Sequence, residues 1–102
     1  MIRFSIYFSN PANLDDFENA YNDFLALVEH MPYLQRRQIG HVIGSPQGEA
    51  PYFRSMELYF NTQQELRESL MSSAGQEAGN ELARFGVGNV HLFFSEIYEE
   101  SG

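Results

Sequence analysis

Glu57 and His91 are the two residues of this chain best suited to acid-base work. A carboxylate beside an imidazole orients the ring and keeps its titration near neutral pH, so such a pair can pass a proton to or from a bound compound. Tyr7, Tyr59 and Phe93, with His41 as a further contributor, would surround the pair with aromatic surface. An aromatic pocket holding a few polar groups suits a small, flat, mostly apolar ligand. Each of these side chains also has a plainer use. Glu57 can bond a neighbouring subunit, His91 can be a satisfied contact residue, and the tyrosines can pack with their hydroxyls bonded.

Other chemistries are excluded by what is missing. His30, His41 and His91 have no histidine partner at the two-to-five spacing from which zinc sites are usually built, so no metal is expected. There is no cysteine, hence no disulfide framework, thiol nucleophile or thiolate-ligated metal. All six basic residues are arginines, which removes Schiff-base lysines and the phosphate-loop lysine. Gly86-Val87-Gly88 leads into a strand, where a phosphate loop would follow one. No cofactor is therefore expected. A formal charge of -8 opposes phosphate backbones, and Arg36-Arg37 is too small a patch to reverse that, so nucleic acid is not an expected partner. No segment approaches the roughly 20 apolar residues that span a bilayer, and the N-terminus has no apolar leader core. The expectation is a soluble protein of the cytoplasm, without a membrane partner.

The elements that must carry these residues follow from periodicity. Ile2, Phe4, Ile6 and Phe8 alternate with Arg3, Ser5, Tyr7 and Ser9, which is a half-buried strand. Asn13 is placed to cap a helix with Asp15 and Asp16 in its first turn; Leu14, Phe17, Tyr21, Phe24, Leu25 and Val28 form its apolar stripe. That helix should end near His30, because Pro32 disfavours helical geometry at Met31. Residues 33–43 predict an edge strand defended by Arg36 and Arg37, and 44–51 a loop. In the second half Tyr52, Arg54, Met56, Leu58 and Phe60 alternate against Phe53, Ser55, Glu57 and Tyr59. Thr62 and Glu65 have the spacing of a capping box for a helix over 63–72, and Ala78, Leu82 and Phe85 predict a further helical segment.

Two near-repeats, Tyr7-Phe8-Ser9-Asn10 and Tyr59-Phe60-Asn61-Thr62, each close a strand and open a helix. They predict a single domain over 1–102 with two strand-helix-strand halves. If Phe8 and Phe60 face the helices, Tyr7 and Tyr59 face away from them, together with Glu57, His91 and Phe93. The last strand, 89–98, is apolar on both sides, so something should cover its second face. In a chain this short the expected cover is the same sheet of another copy.

The order of Pro51-Tyr52-Phe53, Met56-Glu57-Leu58-Tyr59-Phe60-Asn61, Glu65-Leu66, Ser72 with Gly75, Glu81-Leu82-Ala83-Arg84-Phe85 and Val90-His91-Leu92-Phe93-Phe94-Ser95-Glu96 resembles the EthD family. Phe17, Tyr21 and Met31-Pro32 extend the resemblance into the first half. It implies an α+β, ferredoxin-like βαββαβ fold: a four-stranded antiparallel sheet with helices on one face, dimerising into a shared α+β barrel. It also implies an association with oxidative catabolism without supplying a reaction. Many members carry a histidine on the first helix about eight residues before the proline; here that register falls on Phe24, and His30 sits two residues before it. Two functions stay open. One is a proton-transfer enzyme (isomerase, cyclase, dehydratase or decarboxylase) for a small aromatic or polyketide-like compound, with Glu57 and His91 catalytic. The other is a non-catalytic ligand-binding or accessory protein of an oxidative catabolic system, which the missing helix histidine favours.

Overall fold

The computed structural model describes residues 1–100. In chain order the elements are β1 (Ile2–Ser9), α1 (Leu14–Val28), β2 (Arg36–His41), β3 (Tyr52–Phe60), α2 (Gln63–Met71), α3 (Ser73–Glu81), a 3-10 turn (Leu82–Phe85) and β4 (Val90–Glu96). The strands make one sheet in the order β2-β3-β1-β4, every pair antiparallel. This is the ferredoxin-like βαββαβ arrangement, with the second helix broken in two.

Local chemistry sets the helix starts. Asn13 Oδ1 accepts from the Asp16 amide at 3.0 Å and Thr62 Oγ1 from the Glu65 amide at 3.0 Å, each satisfying an amide that the first turn leaves unbonded. Ser72 both ends α2 and caps α3, its hydroxyl accepting from the Gly75 amide at 3.1 Å. The elbow is tight: a β-carbon on Gly75 would stand 2.1 Å from the Ser69 carbonyl oxygen and 2.8 Å from Leu70 Cα.

All helices pack on one face of the sheet. Ile2, Phe4, Ile6 and Phe8 of β1 and Met56, Leu58 and Phe60 of β3 bury against Phe17, Tyr21, Phe24 and Val28 of α1 and Leu66 and Ala78 of the second half. Both phenylalanines of the near-repeats are fully buried here, and Tyr7 and Tyr59 face the other side. Arg54 shares the helical face, where its guanidinium bonds Glu18 at 2.5 Å and lies over the rings of Phe17, Tyr21 and Phe53.

Two features differ from the periodicity. β2 is shorter than expected, Arg36–His41, and Tyr33 before it takes the left-handed conformation (φ 66°). In β3 the register shifts between Phe8 and Ser9, so that Phe8 faces Arg54 while Ser9 faces Tyr52. The bulge reverses the alternation at the start of the strand. Phe53 accordingly packs edge-on against Phe17 on the helical face, and Tyr52 turns to the open face beside Tyr7.

No helix among the described residues is long and apolar enough to cross a membrane.

Candidate functional site

The open face is built by alternate positions of four strands. β1 contributes Arg3, Ser5 and Tyr7, and β3 Tyr52, Ser55, Glu57 and Tyr59. β4 contributes His91, Phe93 and Ser95, and β2 adds Arg36 and Gln38. Ser5 is fully buried and donates to Glu57 Oε2 at 2.5 Å, and Arg3 Nε stands 3.4 Å from the same oxygen. The arginine contact lacks hydrogen-bond geometry and is an ion pair only. Tyr59 donates to Gln38 Oε1 at 2.7 Å, and the Arg36 guanidinium lies 4.1 Å above its ring. Tyr7 sits between Tyr52 and Phe93, ring centroids 5.1 and 5.4 Å away. Its phenol is held above the ordinary value, first by burial and then by the charge of Glu57, with Arg3 pulling the other way.

Glu57 and His91 share this face and do not pair. Glu57 lies across from Ser5 on one side of β1, and His91 lies across from Tyr7 on the other. Two strand spacings across the sheet and a two-residue offset along it put their backbones about 12 Å apart. The partner of His91 is Tyr52, whose hydroxyl lies 2.9 Å from Nδ1; with the ring proton on Nε2, the phenol donates. The sequence could not offer this partner, because only the bulge brings Tyr52 to the open face. His41 also departs from expectation. It lies across from Arg54 in β2, a register position on the helical face, so it does not join the open-face group. Tyr7, Tyr59 and Phe93 are where the alternation puts them. Tyr59 has its hydroxyl committed, and Phe93 is 42% exposed. Among the described residues no three His, Asp or Glu side chains come together as a metal-ligand set.

The helical face holds a cavity. About 450 Å³ lies between the sheet and α3, walled by Phe4 and Leu58 of the sheet, Phe24 of α1, Met31, and Leu92 and Phe94 of β4. Its α3 wall is thin because Gly75, Ala78 and Gly79 carry little or no side chain there, and Gln76 and Asn80 are its polar members. No titratable side chain lines it. Leu92 and Phe94 face the helices in register yet remain 48% and 57% exposed, because the helices do not close over β4. The double apolarity of that strand thus leaves apolar side chains on both of its faces that a single copy of the chain does not cover. The alternation reading did not find this cavity; the signals available were Phe24 in the histidine register and the cluster of small residues in α3.

No family model matches the chain. It is 26% identical over 97 residues to an uncharacterized 11.0 kDa protein in the thcB-thcC intergenic region of Rhodococcus erythropolis, with 94% of each chain covered. An ethyl tert-butyl ether d (EthD) family protein of Bacillus halodurans superposes with a TM-score of 0.90 at 21% identity, covering 96% of this chain and 99% of its own. Hydroxynitrile lyase from Passiflora edulis gives 0.75 at 14% identity, over 99% and 97% of the two chains. A dimeric ferredoxin-like protein of unknown function from Jannaschia sp. CCS1 gives 0.74 at 14%, over 95% and 100%. The EthD-like fold expected from the motifs is thus the fold observed. One backbone plan carries a lyase in one organism and an unassigned protein in another, so the reaction must be argued from side chains.

Proposed function

We propose that this chain, with the fold of an EthD family protein, binds a compact apolar molecule in the cavity between its sheet and α3, and that two copies associate through their open sheet faces. The observation that carries the reading is a cavity of about 450 Å³ lined by apolar and aromatic side chains with two amides and no titratable group. Such a lining holds a ligand by excluding water and supplies no acid or base, which favours the binding or accessory role in small-molecule breakdown over proton-transfer catalysis. The register of Phe24 fits: the position where many family members carry histidine faces this cavity with a benzyl group. The neighbour from Bacillus halodurans carries ethyl tert-butyl ether in its family name, a compact branched apolar compound of the kind such a space accommodates.

The open face is assigned to the dimer. It presents Tyr7, Tyr52 and Phe93 beside Glu57, which is already held by Ser5 and Arg3 of its own chain, and the structural neighbour from Jannaschia is described as dimeric. Light scattering at micromolar concentration should give a dimer; a monomer would remove this part of the proposal. Glu57 and His91 then serve the contact surface.

The cavity is tested with the neutral fluorophore N-phenyl-1-naphthylamine. Gly79→Phe places a ring where a β-carbon at this position meets open space, at the cavity wall. Wild type should enhance the fluorescence saturably and Gly79→Phe should abolish the enhancement, while His91→Ala leaves it unchanged. Unchanged binding by a folded Gly79→Phe, or loss of binding in His91→Ala, would overturn the assignment.

A further inference from the structure

A second cavity, about 320 Å³, adjoins the first along β4, with Leu70 and Phe94 lining both. Its polar members are Gln63 and Arg67 of α2 and, across from them on β4, Glu96. Five of the six arginines are engaged: Arg3, Arg37, Arg54 and Arg84 with carboxylates, and Arg36 with the Tyr59 ring. Arg67 makes no ion pair and no cation–π contact among the described residues, although fourteen Asp and Glu are present in the chain. Glu96, the carboxylate that shares this cavity, is already used. Its Oε1 accepts from Gln63 Nε2 at 3.3 Å and its Oε2 from the Tyr98 hydroxyl at 2.5 Å.

Resting on the cavity reading above, we infer that the natural ligand is amphipathic: an aromatic or alkyl monocarboxylate whose body fills the space beside Phe24 and whose carboxylate reaches Arg67. A guanidinium recognises a carboxylate through two parallel donors. The acidic protein as a whole repels anions, so discrimination has to come from a local contact; at physiological salt, charges beyond about 8 Å are largely screened. Arg67 is the cation of this second cavity and has no internal partner to give up. An apolar body alone would be held by the larger cavity equally well with or without a charged end, so the carboxylate preference is the distinguishing property.

Calorimetric titration of the full chain with 4-phenylbutyrate and 4-phenyl-1-butanol, which share a body and differ in the end group, tests this. Wild type should bind the acid roughly tenfold more tightly than the alcohol, the share of one charge-assisted contact. Arg67→Gln, an exposed position on α2, should lose that preference and keep its affinity for the alcohol. Arg36→Gln, on the opposite sheet face, should keep the preference. Equal binding of both compounds by wild type, a preference surviving in Arg67→Gln, or one lost in Arg36→Gln would each overturn the inference and leave the apolar cavity standing. Binding of neither compound would overturn the cavity reading and the inference together.

Discussion

Two glycines in α3, four residues apart, should respond in opposite directions to the same added methyl group. At Gly75 a β-carbon would lie 2.1 Å from the Ser69 carbonyl oxygen and 2.8 Å from both Leu70 Cα and the Leu70 carbonyl oxygen. All three are backbone atoms of α2, so no side chain can rotate away. Relief requires α3 to move by about 1 Å, and overpacking of that kind costs about 1–3 kcal/mol. At Gly79 the β-carbon meets nothing within 4 Å, the residue lies inside α3, and alanine gains about 0.5–1 kcal/mol of helix propensity. For a domain of this size each kcal/mol moves Tm by roughly 4–8 °C. Gly75→Ala should therefore lower Tm by roughly 4–24 °C, and Gly79→Ala should raise it by roughly 2–8 °C. Thermal unfolding followed by far-ultraviolet circular dichroism, with urea titration at 25 °C, reads both. The reasoning is refuted if Gly75→Ala is as stable as wild type, or if the two variants shift in the same direction. Because Gly75 also walls the cavity, the displaced helix should weaken N-phenyl-1-naphthylamine binding as well.

Two further outcomes follow from named contacts. Arg54→Ala removes a buried side chain lying over three aromatic rings and bonded to Glu18, and should cost about 2 kcal/mol by chemical denaturation, with Arg54→Met recovering part through retained packing; an Arg54→Ala protein of wild-type stability would contradict this account of the helical face. Tyr7 and Tyr21 both have phenols raised by burial above the ordinary 10.0, so the folded state holds these protons more tightly than the unfolded one. Their contribution is complete below pH 10 and is lost as pH rises through the raised folded values. Stability should thus fall above pH 10 in wild type and fall less steeply in Tyr7→Phe, measured by urea midpoints across that range; identical slopes would show that Tyr7 is not held neutral by its surroundings.

Much of the scaffold was legible in the chain itself. The period of two in Ile2-Phe4-Ile6-Phe8 assigned both faces of β1, and the strand-closing Tyr-Phe pairs put Tyr7 and Tyr59 on one side and Phe8 and Phe60 on the other. Asn13 and Thr62 announced the helix starts because capping is a contact between residues three apart. The candidate site was legible only as a set of residues on one face. Its pairings were not, since Glu57 and His91 are on the same side in sequence logic and on opposite sides of β1 in space.

What the sequence determined by itself is whatever depends on near neighbours: which residues alternate, where helices begin, and which chemistries are absent for want of cysteine, lysine or clustered histidine. The tertiary structure decided the rest. A bulge is a property of two strands in register, and it turned Tyr52 toward His91 and Phe53 toward Phe17. Strand order set β1 between Glu57 and His91 and handed the carboxylate to Ser5 and Arg3. A cavity belongs to no segment, because it is the volume that α1, α3, β1, β3 and β4 leave unfilled when each has satisfied its own contacts.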